Sequence, residues 1–92
     1  MAQTTAEKKS RFARVAVPRV EKVVDQFRML GNCSVPSQYE WDKALWKKVF
    51  VHILIAAQEC AEKFDLKVTF TINEIDSRDL YDPDAIEAFL NE

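Results

Sequence analysis

Val49-Phe-Val-His-Ile-Leu-Ile-Ala-Ala57 is the longest apolar run of the chain, broken only by His52, and its reading decides the fold. No Gly or Pro interrupts residues 37–65 around it, which places the run inside one long helix. Trp46, Phe50, Ile53, Ala57, Ala61 and Phe64 share a stripe at helical spacing, and Leu45, Val49, Ala56 and Cys60 widen it. Ser37-Gln-Tyr-Glu40 has the capping-box pattern, in which the serine oxygen accepts an early amide and the glutamate reaches back to the serine N–H. The expected helix therefore covers residues 37–64, roughly 40 Å at 1.5 Å per residue. Its centre is apolar nearly all round, so more than one side has to be covered. Lys48, His52, Glu59 and Lys63 mark its polar edge.

Toward the N-terminus, Phe12, Val15, Ala16, Val20, Val23, Val24, Phe27 and Leu30 mix steps of three and four and define a second helical stripe. Proline is best tolerated in the first helical turn, so Pro18 sets the expected start and residues 18–30 the expected span. Gly31 and Asn32 supply a left-handed stop. Residues 1–10 are small, polar and charged, which predicts a disordered basic arm ahead of a single α-rich domain over residues 11–92.

Toward the C-terminus, Leu66, Val68, Phe70 and Ile72 alternate with Lys67, Thr69 and Thr71, the pattern of a half-buried strand. A lone strand leaves its backbone groups without partners. Its expected ladder lies outside its own chain, either in a homodimer through Leu66 to Ile72, which needs no unknown partner, or on the edge strand of a different protein, unless Arg14 to Val17 is extended and pairs with it. Asp82-Pro83-Asp84 then reads as an N-cap, a first-turn proline and a first-turn carboxylate, starting a short helix through Ile86, Phe89 and Leu90. The expected class is mainly α: an antiparallel two-helix core, a short extended or β segment, and a short C-terminal helix.

Composition narrows the function. The 92 residues, 48% apolar and 30% charged, describe one small soluble domain whose core is marginal, so a partner or a second copy would complete it. The single glycine, Gly31, excludes the P-loop and the dinucleotide fingerprint, which need at least two at fixed spacing. Cys33 and Cys60 form no C-x-x-C unit, and with His52 they cannot complete a four-ligand zinc site, so both are expected as reduced thiols. Glu59 lies roughly 10 Å along the helix from His52, too far for an acid–base pair. Cys33 and Ser34 have no base beside them, and the carboxylates at Glu74, Asp76, Asp79, Asp82 and Asp84 lack the spacing and glycine of a calcium loop. The expectation is a protein without catalytic residues, metal or cofactor. The start of the chain has no apolar signal segment and no run is long enough to span a bilayer, so a cytoplasmic protein is expected.

Charge is unevenly distributed. Residues 1–30 carry seven Lys or Arg against three Asp or Glu, whereas residues 65–92 carry two against eight. Tyr39, Trp41 and Tyr81 are hard to place in a small core, and Trp and Tyr are favoured at interface centres. With Glu74, Asp76 and Asp79 they make the expected contact set of a small non-enzymatic regulatory or inhibitor protein that binds a larger protein. The alternative is a nucleic-acid-binding accessory protein whose Lys8, Lys9, Arg11, Arg14 and Lys22 meet phosphates.

Overall fold

The computed structural model describes residues 4–35 and 39–91. The chain is mainly α: the described residues form three α-helices, the last of them a short C-terminal one, and a two-strand antiparallel sheet, and the chain divides into two compact units, Met1–Glu40 and Trp41–Glu92.

Helix α1 (Thr5–Gly31) makes up most of the first unit. It begins well before Pro18: Thr4 is the N-cap, and its Oγ1 accepts from the Glu7 amide at 3.1 Å. Residues 5–10, expected as an unstructured arm, are thus helical, because Thr4-Thr-Ala-Glu7 is itself a capping sequence and the following residues are good helix formers. Pro18 lies inside the helix. Its missing N–H removes one bond of the ladder, and on an exposed helix water can meet the carbonyl left over. Arg14 to Val17 is helical and cannot serve as a strand partner. The helix stops at Gly31 as expected, but Gly31 is right-handed at φ −58° and the chain tightens into a 3₁₀ turn over Asn32–Ser34 instead of turning left-handed. No residue of α1 is buried.

In the second unit, helix α2 (Lys43–Lys63) is shorter than expected. Its N-cap is Asp42, whose Oδ1 accepts from the Ala44 amide at 2.9 Å, while Ser37 lies outside the described residues and Glu40 is not helical. The helix ends without a glycine. Asp65 takes the left-handed conformation at φ 60°, with the Leu66 amide donating to the Ala61 carbonyl and the Asp65 amide to that of Glu62, both at 3.0 Å. These two bonds are the Schellman pattern, which satisfies the last carbonyls and reverses the chain.

The reversed segment runs to a minimal hairpin of β1 (Thr71–Ile72) and β2 (Ile75–Asp76), with Thr71 opposite Asp76 and Ile72 opposite Ile75. Asn73 and Glu74 at its tip both have positive φ, 51° and 70°, the backbone that a two-residue hairpin turn demands. The ladder expected from another chain is therefore made within this one, at the last two residues of the alternating stretch, and residues 66–70 belong to no strand. Asn-Glu is a weak turn signal, and the two-residue second strand leaves no periodicity to read. A 3₁₀ turn (Ser77–Leu80) and helix α3 (Pro83–Leu90) follow, with Asp82 capping α3 through the Ala85 amide at 3.1 Å, as expected from its sequence.

The core lies where the 3₁₀ turn and α3 pack on α2. Val51 is 0% exposed, Ile86 4% and Val49 7%, and Gln58 and Ser77 are buried with them. This differs from the expected stripe: Phe50, Ala57 and Phe64 are exposed, Trp46, Ile53 and Ala61 half-buried. α2 is covered instead along Lys48, Val51, Ile55 and Gln58, spaced by three and four, and again at Val49, roughly 200° around the helix from Val51. Polar residues end up on the packed side because the C-terminal segment brings groups that pair with them.

Candidate protein-binding surfaces

Three side-chain hydrogen bonds fix the C-terminal segment along α2. Arg78 donates from Nε to Gln58 Oε1 at 2.9 Å and from Nη2 to Glu62 Oε1 at 3.2 Å, while Lys48 Nζ donates to Asp82 Oδ2 at 3.0 Å. The later tail residue meets the earlier helix residue, so the segment runs antiparallel to α2. The chain from Arg78 to Asp82 is partly 3₁₀ and shorter than the roughly 15 Å between positions 48 and 58 on a helix, and the long Arg78 and Lys48 side chains make up the difference.

On the adjoining side of α2, Phe50 is exposed and Trp46 and Leu54 are half-buried. Trp46, Phe50 and Leu54, one turn apart, form the floor of a groove of about 410 Å³, and Thr71, Ile72 and Asn73 of the hairpin line it from the other side. The Trp46 ring is held in place by Phe50 at 6.2 Å and by an edge-on contact with Phe89 of α3 at 6.1 Å. Phe50 is nevertheless 41% exposed. Lys43 and Lys47, one turn apart, also line the groove and give it positive charge.

The residues expected from sequence to contact a partner fall on different elements. Tyr39 is exposed in the first unit; Trp41 and Tyr81 are exposed in the second. Glu74 is exposed in the hairpin turn next to Asn73 of the groove, and Asp79 is exposed in the 3₁₀ turn. Asp76 is half-buried with a local task, since its Oδ1 accepts from the Arg78 amide at 2.8 Å and caps that turn. Sequence reading assigned Trp46 and Phe50 to the core and did not single out Leu54. The signal for the groove was the all-round apolar character of residues 49–57, more than one covering layer can absorb.

Lys8, Arg11, Arg14 and Lys22 are exposed and share one side of α1, whereas Lys9 projects among the apolar positions on the other. Cys33 and Cys60 are free and exposed. Among the described residues no three His, Cys, Asp or Glu side chains come together to hold a metal ion, and no helix is long and apolar enough to cross a membrane.

The contact with Lys48 also acts on the charge of Asp82. Its hydrogen bond from Lys48, and secondarily that from the Ala85 amide, hold its carboxyl below the ordinary aspartate value. A carboxylate with a lowered pKa in the folded state adds stability above its unfolded pKa and loses it as pH falls through the folded value. Acidification across the carboxylate range is expected to loosen α3, and Asp82→Asn to flatten part of that acid limb. Superimposable acid titrations of the two proteins, followed by circular dichroism, would show that the contact contributes nothing.

No family model matches the chain, and comparison with curated proteins and with solved structures finds no match.

Proposed function

We propose that the chain is a small non-enzymatic regulatory or inhibitor protein that acts by binding a larger protein, and that the groove over Trp46, Phe50 and Leu54 receives the partner. The observation that carries this reading is an open apolar groove on a firmly held aromatic, with two lysines beside it. Such a surface suits an apolar anchor flanked by carboxylates, because the anchor gains burial and the flanking charge meets Lys43 and Lys47. Glu74, in the hairpin turn next to Asn73 of the groove, adds a contact at its edge. Two exposed free thiols suit a cytoplasmic, reducing setting for this role.

The basic side of α1 favours a second reading, an accessory protein that binds nucleic acid through Lys8, Arg11, Arg14 and Lys22. A pull-down from source lysate, with and without nuclease, separates the two. Under the first reading a protein is captured in both conditions, and Phe50→Glu abolishes its capture while leaving the helical circular dichroism unchanged. Capture that disappears with nuclease or moderate salt, and survives Phe50→Glu, would replace the first reading with the second.

A further inference from the structure

We propose that α1 pairs antiparallel with α1 of a second copy, in a register that places Val20 of each chain opposite the partner's Val23. The proposal rests on α1 alone and is independent of the groove on α2. Val20 is 60% exposed, and Val17, Val23, Val24 and Phe27 are exposed on the same helix. Together with Ala13, Ala16 and Leu30 they present apolar surface on the order of 500 Å², the size of the largest and often functional patch on a monomer's surface. Two copies would bury about 1,000 Å², the lower bound of a specific interface.

The order of side chains identifies the occupant. Ala13, Ala16, Val20, Val23, Phe27 and Leu30 follow one another at steps of three, four, three, four and three, the seam of a two-stranded coiled coil. Along this seam the small residues come first and the large ones last. A parallel pair would set alanine against alanine at one end, leaving space, and Phe27 against the partner's Phe27 at the other, crowding it. Reversing one helix about a two-fold axis between positions 21 and 22 sets Ala13 against the partner's Leu30, Ala16 against the partner's Phe27 and Val20 against the partner's Val23. Every layer then has similar volume, and the seam is complementary to itself, as an isologous contact requires. Val17 comes to lie beside the partner's Val24 on one flank and Arg19 beside the partner's Gln26 on the other, so no like charges meet there.

Charge and backbone agree with this orientation. Between residues 5 and 19, α1 carries Lys8, Lys9, Arg11, Arg14 and Arg19 against Glu7 alone, while from 20 to 31 Glu21 and Asp25 balance Lys22 and Arg28. Parallel pairing would bring the two basic halves together; antiparallel pairing puts each beside a neutral half. Pro18 falls on the side away from the seam, where its missing N–H leaves the Arg14 carbonyl open to water and interrupts no contact between helices.

The test uses the full chain and two readouts. Sedimentation equilibrium across the micromolar range should give a concentration-dependent dimer, and Val20→Glu with Val23→Glu should leave only monomer. Those glutamates also remove the cover that steadies α1, so orientation is read from cross-linking in a Cys33→Ser, Cys60→Ser background. A mixture of Ala13→Cys chains and Leu30→Cys chains should form a disulfide-linked dimer on mild oxidation, and neither variant alone should do so. A monomer at every concentration, or a dimer that survives both glutamates, would overturn the proposal. Self-cross-linking by Ala13→Cys alone would also overturn it, by showing parallel pairing.

Discussion

Ile86→Ala should destabilise the second unit by about 2 to 5 kcal/mol, the usual range for truncating a buried aliphatic side chain when its surroundings relax only in part. Ile86 is 4% exposed and is the only residue of α3 that is fully covered. Helix α3 has eight residues, below the length at which an isolated helix is stable in water, so it persists through packing and not through propensity. Removing that anchor should therefore release α3, and with it the edge-on contact of Phe89 on Trp46. Urea titration followed by circular dichroism measures the free energy, and tryptophan fluorescence should change in parallel. Leu90→Ala, at a position 64% exposed on the same helix, should stay within about 0.5 kcal/mol. Equal losses for the two would mean that α3 is held by some other face.

What the sequence disclosed follows from how local each signal is. The cap of α3 was legible because Asp82, Pro83 and Asp84 act within one turn of each other, and the centre of α2 because nine nearly unbroken apolar residues leave no other element to form. The start of α1 was equally local, since Thr4 and Glu7 are a capping pair, but Pro18 outweighed it in the reading. Helix faces were another matter. On an all-apolar helix periodicity cannot say which side is covered, and here the answer depends on Arg78 and Asp82, distant in sequence, finding Gln58, Glu62 and Lys48. Lys48 looked like solvent-facing charge for that reason, and Phe50 like core. The hairpin was hidden by its brevity: two residues per strand give alternation nothing to repeat, and the positive φ at Asn73 and Glu74 is unannounced by any glycine. The groove follows from the same distant pairings, because they set the C-terminal segment over the Val51 side of α2 and leave the row of Trp46, Phe50 and Leu54 only bordered, by the hairpin and by Phe89.

Those pairings make a second large effect. Arg78→Met is expected to cost about 1 to 3 kcal/mol, through the acceptor it strands and not through the charge it removes. Gln58 is 2% exposed and its Oε1 accepts from Arg78 Nε at 2.9 Å; without Arg78 that carbonyl would face a dry interior. The other arm of the guanidinium reaches Glu62 at 3.2 Å, but both side chains of that pair are more than half exposed, where an ion pair contributes about 0 to 1 kcal/mol. Glu62→Gln should therefore change stability little. Lysine cannot substitute, since one ammonium lacks the planar fork that meets both acceptors at once, so Arg78→Lys should recover only part of the loss. The decisive measurement is a double-mutant cycle in urea. Gln58→Met combined with Arg78→Met replaces both partners by apolar chains of similar length, and the pair should be more stable than Arg78→Met alone because no buried acceptor is left unpaired. A cycle in which the two changes simply add, or in which Glu62→Gln costs as much as Arg78→Met, would assign the stabilisation to surface charge and remove Gln58 from the clamp.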